Sequence, residues 1–172
     1  MANPPASTRP VCYLGIDPGL NRTGYALLKL EPGSRTPRLL EGGIIRSTTA
    51  LSLAERVYEI GSGLREILDE FEPEVMAIEQ VFTAYKNPKS ALLMAHARGA
   101  MLFAAAEKGL TVIHYTPTQI KRMLTGSGKA SKEQIQHAVT FELKLAQIPE
   151  PNDVADATAV ALCLFHSLKF AA

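Results

Sequence analysis

Tryptophan is absent from the 172 residues, and cysteine occurs only twice, at Cys12 and Cys163. Two cysteines so far apart offer neither a disulfide framework nor the ligand spacing of a zinc site. Each stands in an apolar context, VCYLG and ALCLF, so both are expected to be buried, reduced thiols. Long hydrophobic runs are missing too. The longest are broken by His96, Arg98 and Glu107, and none approaches the roughly 20 apolar residues of a membrane span. The opening MANPPASTRP lacks the apolar core of a secretory signal and reads as a disordered leader over residues 1–10. Nor do His96, His114, His137 and His166 share a ligand spacing, so they are assigned structural roles. These absences exclude a disulfide-stapled scaffold and a membrane span, and a cytoplasmic protein is the expectation.

What is present is a 47% hydrophobic composition, enough for one core, so residues 11–172 are expected to form a single domain. The net charge of +1 hides a segregation. Residues 50–82 carry eight acids and two bases, a net of −6, whereas residues 83–144 carry nine bases and three acids, a net of +6. A basic half points to a polyanionic partner, although solvated helix faces account for the same charges.

The apolar runs 12–17 and 24–30 flank the turn PGLNRTG and read as two strands. Residues 38–47, RLLEGGIIRS, fit a third, with Gly42 and Gly43 in a bulge-like position. Short links predict an antiparallel meander. From Leu53 to Phe71 apolar residues step by three or four, a helix stopped by Pro73. VMAIEQVF, 75–82, predicts a fourth strand, and LTVIHY, 110–115, a fifth. Between them residues 90–107 form a helix apolar nearly all round, fit for the core or a subunit interface. Thr116 and Pro117 open a short helix, and Ser131 with Gln134 caps another running to about Leu145. Asn152 is the expected cap of a last helix whose apolar body runs from Val154 to Leu168. The fold class is therefore α/β, a five-stranded mixed sheet flanked by helices.

Four acids stand at element ends. Asp17 closes the first strand, Glu79 interrupts the fourth, and Asp153 and Asp156 share one face at the start of the last helix. An acid at the mouth of a core strand is costly unless something compensates it. If the first and fourth strands are neighbours and the last helix crosses their ends, four carboxylates converge and repel one another. Oxygen-only donors select hard divalent ions, Mg²⁺ or Mn²⁺ in its place, and two such ions balance four carboxylates. Two metals about 3.5–4 Å apart form the clamp used in phosphodiester hydrolysis. Taken singly, each acid is equally an ordinary turn, cap or first-turn residue.

GIDPG followed by TGY, then AIEQVF, ARG in the apolar helix and DVADA entering the last helix resemble the RuvC-type Holliday junction resolvases. The match runs in order from about Cys12 to His166. The resemblance implies an RNase H-like fold, a homodimer, and cleavage of four-way DNA junctions with two Mg²⁺ per active site. The family's catalytic and metal-binding acids fall on Asp17, Glu79, Asp153 and Asp156. Its basic residues near the reacting phosphate correspond to Lys121, expected to be catalytic, and Lys132. Phe82 matches the aromatic that stacks on an unpaired base at the junction, and stacking needs only a π-face. Phe82, Tyr85, Lys86, Lys89, Lys121, Arg122, Lys129 and Lys132 make up the expected DNA-binding set. AYKNPKSA is one residue longer than the family pattern, Tyr85 being the extra one. The resemblance further implies 5′-phosphate and 3′-hydroxyl products and a branch-migration partner of the RuvA and RuvB type.

Two rival readings remain at this point. GIDPG also opens actin-like ATPases, but those need a second such domain and further phosphate loops. GSGKAS has Met123 and Ala130 where a phosphate-binding loop needs Gly and Ser or Thr, which removes an ATP site. A junction-binding protein without catalysis would share the fold, and the four intact acids argue against it.

Overall fold

The computed structural model of the chain describes residues 9–80 and 88–171. The expected leader, residues 1–10, falls almost entirely outside them, as do residues 81–87. The meander forms as the pattern predicts: β1 (Val11–Asp17), β2 (Arg22–Leu30) and β3 (Arg38–Arg46) pair antiparallel in sequence order. The irregularity in β3 is displaced from the glycines. Leu27 faces Glu41 while Leu28 faces Leu39, so Leu40 is the extra residue. Gly42 and Gly43 instead make room. A Cβ on Gly42 would come 2.7 Å from Val154 Cγ1, and one on Gly43 2.7 Å from the Tyr25 hydroxyl.

α1 (Leu53–Phe71) starts at a capping box in which Ser52 and Glu55 satisfy each other's backbone N–H groups. It buries Ile60, Leu64, Ile67 and Leu68 and ends where Glu72 turns left-handed ahead of Pro73. β4 (Val75–Glu79) then pairs parallel with β1, and β5 (Thr111–Tyr115) parallel with β4. The sheet order is β3-β2-β1-β4-β5, the RNase H-like arrangement. β4 ends at Glu79, with Gln80 beyond it, and the last two residues expected in the strand, 81 and 82, lie outside the described residues. Its neighbours end there too: β1 stops at Asp17 before Pro18, and β5 stops at Tyr115 before the next helix, where the Tyr115 carbonyl accepts from the Gln80 N–H at 2.8 Å.

α2 (Pro88–Glu107) packs on α1 through Ala97, Met101, Ala104 and Ala105. α3 (Pro117–Thr125) and α4 (Lys132–Glu142) begin at Thr116–Gln119 and Ser131–Gln134 capping boxes. α4 stops three residues before Leu145, because Lys144 adopts a left-handed φ of 52°. α5 (Asn152–Ala171) lies across β1 and β2. Asn152 is its first helical residue, and its side-chain oxygen accepts a hydrogen bond from Gln136 Nε2 at 3.1 Å rather than capping the helix.

Both faces of the sheet are covered. Tyr13, Leu28 and Ala77 face a cluster with Val139, Leu162 and Phe165, while Leu14, Ile16, Leu27 and Ile78 face one with Ile60, Leu64 and Met101. A strand buried on both sides has no polar face to alternate with, which is why β1 reads as continuously apolar. Cys163 is buried, but Cys12, near the start of β1, is only half-buried, contrary to expectation; both are free thiols. Among the described residues no helix is long and apolar enough to cross a membrane.

Candidate active site

Parallel pairing carries the first two acids together. Ile16 pairs with Ile78, so the next residues on each strand, Asp17 and Glu79, leave the sheet side by side. α5 brings the other two. It lies directly on the sheet because β1 and β2 offer glycines beneath it. A Cβ on Gly15 would stand 2.3 Å from the Ala157 carbonyl oxygen, and one on Gly24 2.1 Å from that of Asp153. The turn between β1 and β2 is braced as well. Thr23, fully buried, donates its hydroxyl to the Gly19 carbonyl at 2.7 Å and accepts from the Gly19 N–H at 3.3 Å. Ser47 donates to the Leu20 carbonyl at 2.5 Å. Arg98 on α2 donates to the Glu79 carbonyl at 3.3 Å and fixes the end of β4.

Asp17, Glu79 and Asp156 line a cleft of about 280 Å³ with Lys121 and Lys132, over an apolar floor of Ile120, Ile135 and Ala159. Burial, then the neighbouring Glu79, Asp156 and Asp153 carboxylates, push Asp17 up to about 7 against the pull of Lys132. Burial and Asp156 likewise push Glu79 up to about 7, against Lys121. Lys132 donates to Asp156 Oδ2 at 2.8 Å, and that hydrogen bond raises its pKa. Asp153 does not line the cleft. Its Oδ2 is paired with Arg22 Nη2 at 2.6 Å.

The donor set fits a hard divalent cation in kind: four carboxylates, two of them buried at a cost that a cation would relieve. As placed, no group of three acid, histidine or cysteine side chains among the described residues is close enough to ligate one ion. Arg22 and Lys132 each pair with one of the four acids, Asp153 and Asp156 respectively.

The other expected contacts scatter. Lys121 and Lys132 line the cleft. Lys89 is exposed in the first turn of α2, and Arg122 and Lys129 are exposed outside the cleft lining. Phe82, Tyr85 and Lys86 lie outside the described residues. Sequence reasoning missed Arg22 and gave Arg98 no role. The one available signal was a base inside the turn that follows Asp17.

The profile of the family described as Crossover junction endodeoxyribonuclease RuvC matches residues 13–164. The chain belongs to that family. It is 49% identical to the Crossover junction endodeoxyribonuclease RuvC of Rhodopirellula baltica over 88% of this chain and 84% of that one. Its similarity to the RuvC of Hydrogenovibrio crunogenus is 45% identity over 87% of this chain and 84% of that one. The solved structure of Thermus thermophilus RuvC in complex with Holliday junction substrate superposes with a TM-score of 0.86 at 34% identity, covering 94% of this chain and 96% of that one. A RuvC nuclease hydrolyses phosphodiester bonds of DNA and depends on a metal, and the acidic cleft is suited to both.

Proposed function

We propose that the chain resolves Holliday junctions, binding four-way DNA as a homodimer and hydrolysing one phosphodiester in each of two symmetry-related strands. The observation that supports this reading is the gathering of Asp17, Glu79 and Asp156 in one cleft at the end of the sheet, with Asp153 beside it, in a chain that follows the RuvC pattern over residues 13–164. Asp17, Glu79, Asp153 and Asp156 would hold two Mg²⁺ per site, with Mn²⁺ able to substitute. When bound, the ions supply Lewis-acid polarisation of the phosphate and of the attacking water.

The chain's own residues do the rest. Lys121 presents its ammonium to the cleft beside Glu79, where it stabilises negative charge developing on the phosphate. Lys132, held by Asp156 in this structure, turns to DNA once that carboxylate is engaged elsewhere. Lys89, Arg122 and Lys129 add phosphate contacts that position the junction without reading its sequence. Phe82, Tyr85 and Lys86 complete the DNA-contacting set, Phe82 by stacking. The products are 5′-phosphate and 3′-hydroxyl ends. The homodimer uses the groove of about 760 Å³ along α2, lined by Leu92, Ala95, Gly99 and Leu102. Leu92 is 65% exposed there, apolar surface that association would cover. Residues 11–172 act as one domain, in the cytoplasm, with branch-migration proteins of the RuvA and RuvB type.

The test is incubation with a mobile four-way junction and with matched linear duplex, with and without Mg²⁺. Paired cuts in the junction alone, dependent on the metal, are expected. Tight junction binding with no cut at any Mg²⁺ concentration would reduce the chain to a junction-binding protein.

A further inference from the structure

Arg22 stands at the first position of β2, and its guanidinium meets an acid on a different element, Asp153 of α5. The closest approach is that of Nη2, 2.6 Å from Oδ2. Nε of the same side chain is buried and has no hydrogen-bond partner among the described residues. An arginine that seats a carboxylate permanently uses its fork, with two parallel N–H bonds. A buried N–H left without an acceptor is rare in a settled structure and calls for an explanation. The pair therefore leaves Nε out of the hold, and it is set beside the cleft rather than in it.

Position matters as much as strength. Asp17, Glu79 and Asp156 line the cleft, whereas Asp153, joined to Arg22, does not. The oxygen that Arg22 occupies is one that Asp153 would offer to a cation. A guanidinium and a divalent ion sharing that carboxylate would also repel each other at short range. We propose that Arg22 is a cation latch: it holds Asp153 out of the metal-binding set in the metal-free protein, and loading of a divalent ion requires that pair to open. The latch rests on the reading of the four acids as the metal site. Arg22 acts on the metal through Asp153 and is a positioning residue. Its role is to set how much divalent cation the site needs, so that the cleft does not load at trace metal.

The experiment is a calorimetric titration of the DNA-free protein with MnCl₂. Arg22→Met keeps the aliphatic stem and removes the charge; Arg22→Gln is the second variant should the first fail to fold, with circular dichroism as the check. Arg46→Met is the control, since Arg46 is paired across the sheet with Arg22, is exposed, and loses the same charge. Arg22→Met is expected to tighten Mn²⁺ binding about tenfold, a typical coupling between two sites. Arg46→Met should change it less than about twofold, because exposed charge is screened. In an Asp153→Asn background the gain from Arg22→Met should vanish. An equal gain from Arg46→Met, a gain that persists without Asp153, or no gain at all would overturn the latch while leaving the metal site standing. Native protein that binds no Mn²⁺ would overturn the site itself, and the latch with it.

Discussion

At the scale of single residues, Asp17 and Glu79 have the same difficulty and the same remedy. Each is a carboxyl group at the end of a buried strand, raised to about 7 by desolvation and by its acidic neighbours. Without metal, protons are the available compensation. In the unfolded chain the same groups ionise near their ordinary values, 3.8 and 4.5. The folded state therefore binds more protons between those values and about 7, and stability falls as pH rises through that window. In EDTA the melting temperature should climb as the buffer is taken from about pH 8 to about pH 6, and Mg²⁺ should remove most of that slope. Metal affinity runs the other way, rising with pH through about 7, because the ion displaces protons. A melting temperature flat across the window would mean the two carboxyls are not coupled to folding. Asp17→Asn, Glu79→Gln, Asp153→Asn and Asp156→Asn should each lower single-turnover cleavage by more than about a hundredfold, since even outer partners of metal ligands cost 10–100-fold. Junction binding in a gel shift should survive in all four, because shape and phosphate contacts carry it. The two lysines divide. Lys121→Ala is expected to slow cleavage at saturating protein with little change in affinity. Lys132→Ala should both slow cleavage and flatten the salt dependence of binding, a slope loss of about 0.9 for one phosphate contact. Unchanged rates and slopes would make both lysines plain surface.

At the scale of elements, the site depends on how close α5 can come to the sheet. Gly15 and Gly24 have no tolerance for a side chain: the obstructing atoms are backbone, the Ala157 and Asp153 carbonyl oxygens and the Ala161 nitrogen. Gly15→Ala or Gly24→Ala must push the helix away, an overpacking cost of about 1–3 kcal/mol. That corresponds to a melting point lower by roughly 2–12 °C. Gly24→Ala should in addition lose cleavage beyond what its stability loss explains, because the carbonyl it strikes belongs to Asp153, one of the four acids proposed to hold the metal. Activity measured well below the melting transition separates the two effects, and full activity there would mean α5 is not held in place by this contact. These elements also mark how far the sequence speaks. Helix starts are legible where a cap stands in a local motif, as in Thr116 ahead of Pro117 and Ser131 with Gln134, whereas sequence reasoning missed the Ser52–Glu55 box that opens α1. The four acids are legible because each stands against an apolar run: Asp17 at the end of one, Glu79 inside another, and Asp153 and Asp156 at the entry of the last helix. The bulge at Leu40 is not, since Gly42 and Gly43 are there for Val154 and Tyr25, residues distant in sequence. Arg22 is not legible either. Its meeting with Asp153 exists only because Gly24 lets α5 descend onto β2, a tertiary event that no local pattern in PGLNRTG encodes.

At the scale of the whole molecule, one cleft cuts one strand, and resolving a junction takes two cuts placed by a two-fold axis. The surface proposed to supply that axis is the outer stripe of α2. The same helix has an inner face, Ala97, Met101, Ala104 and Ala105, packed on α1. A helix that is apolar on both sides while only one is covered among the described residues supports the proposal that a second copy takes the outer stripe. Gly99 lies in that stripe, exposed, with nothing within 4 Å of where its Cβ would be. Gly99→Glu therefore has room in the single chain, and its harm should fall on association, where a desolvated charge has no partner. The variant is expected to keep native-like circular dichroism and to run as a monomer in light scattering. Its cleft is complete, since no residue of the acidic site comes from α2. On a supercoiled plasmid carrying a cruciform, native protein should give linear product from paired cuts. The variant should give nicked circles instead, at a rate lowered by weaker junction binding. A Gly99→Glu protein that remains a dimer and still linearises the plasmid would move the two-fold axis to another face.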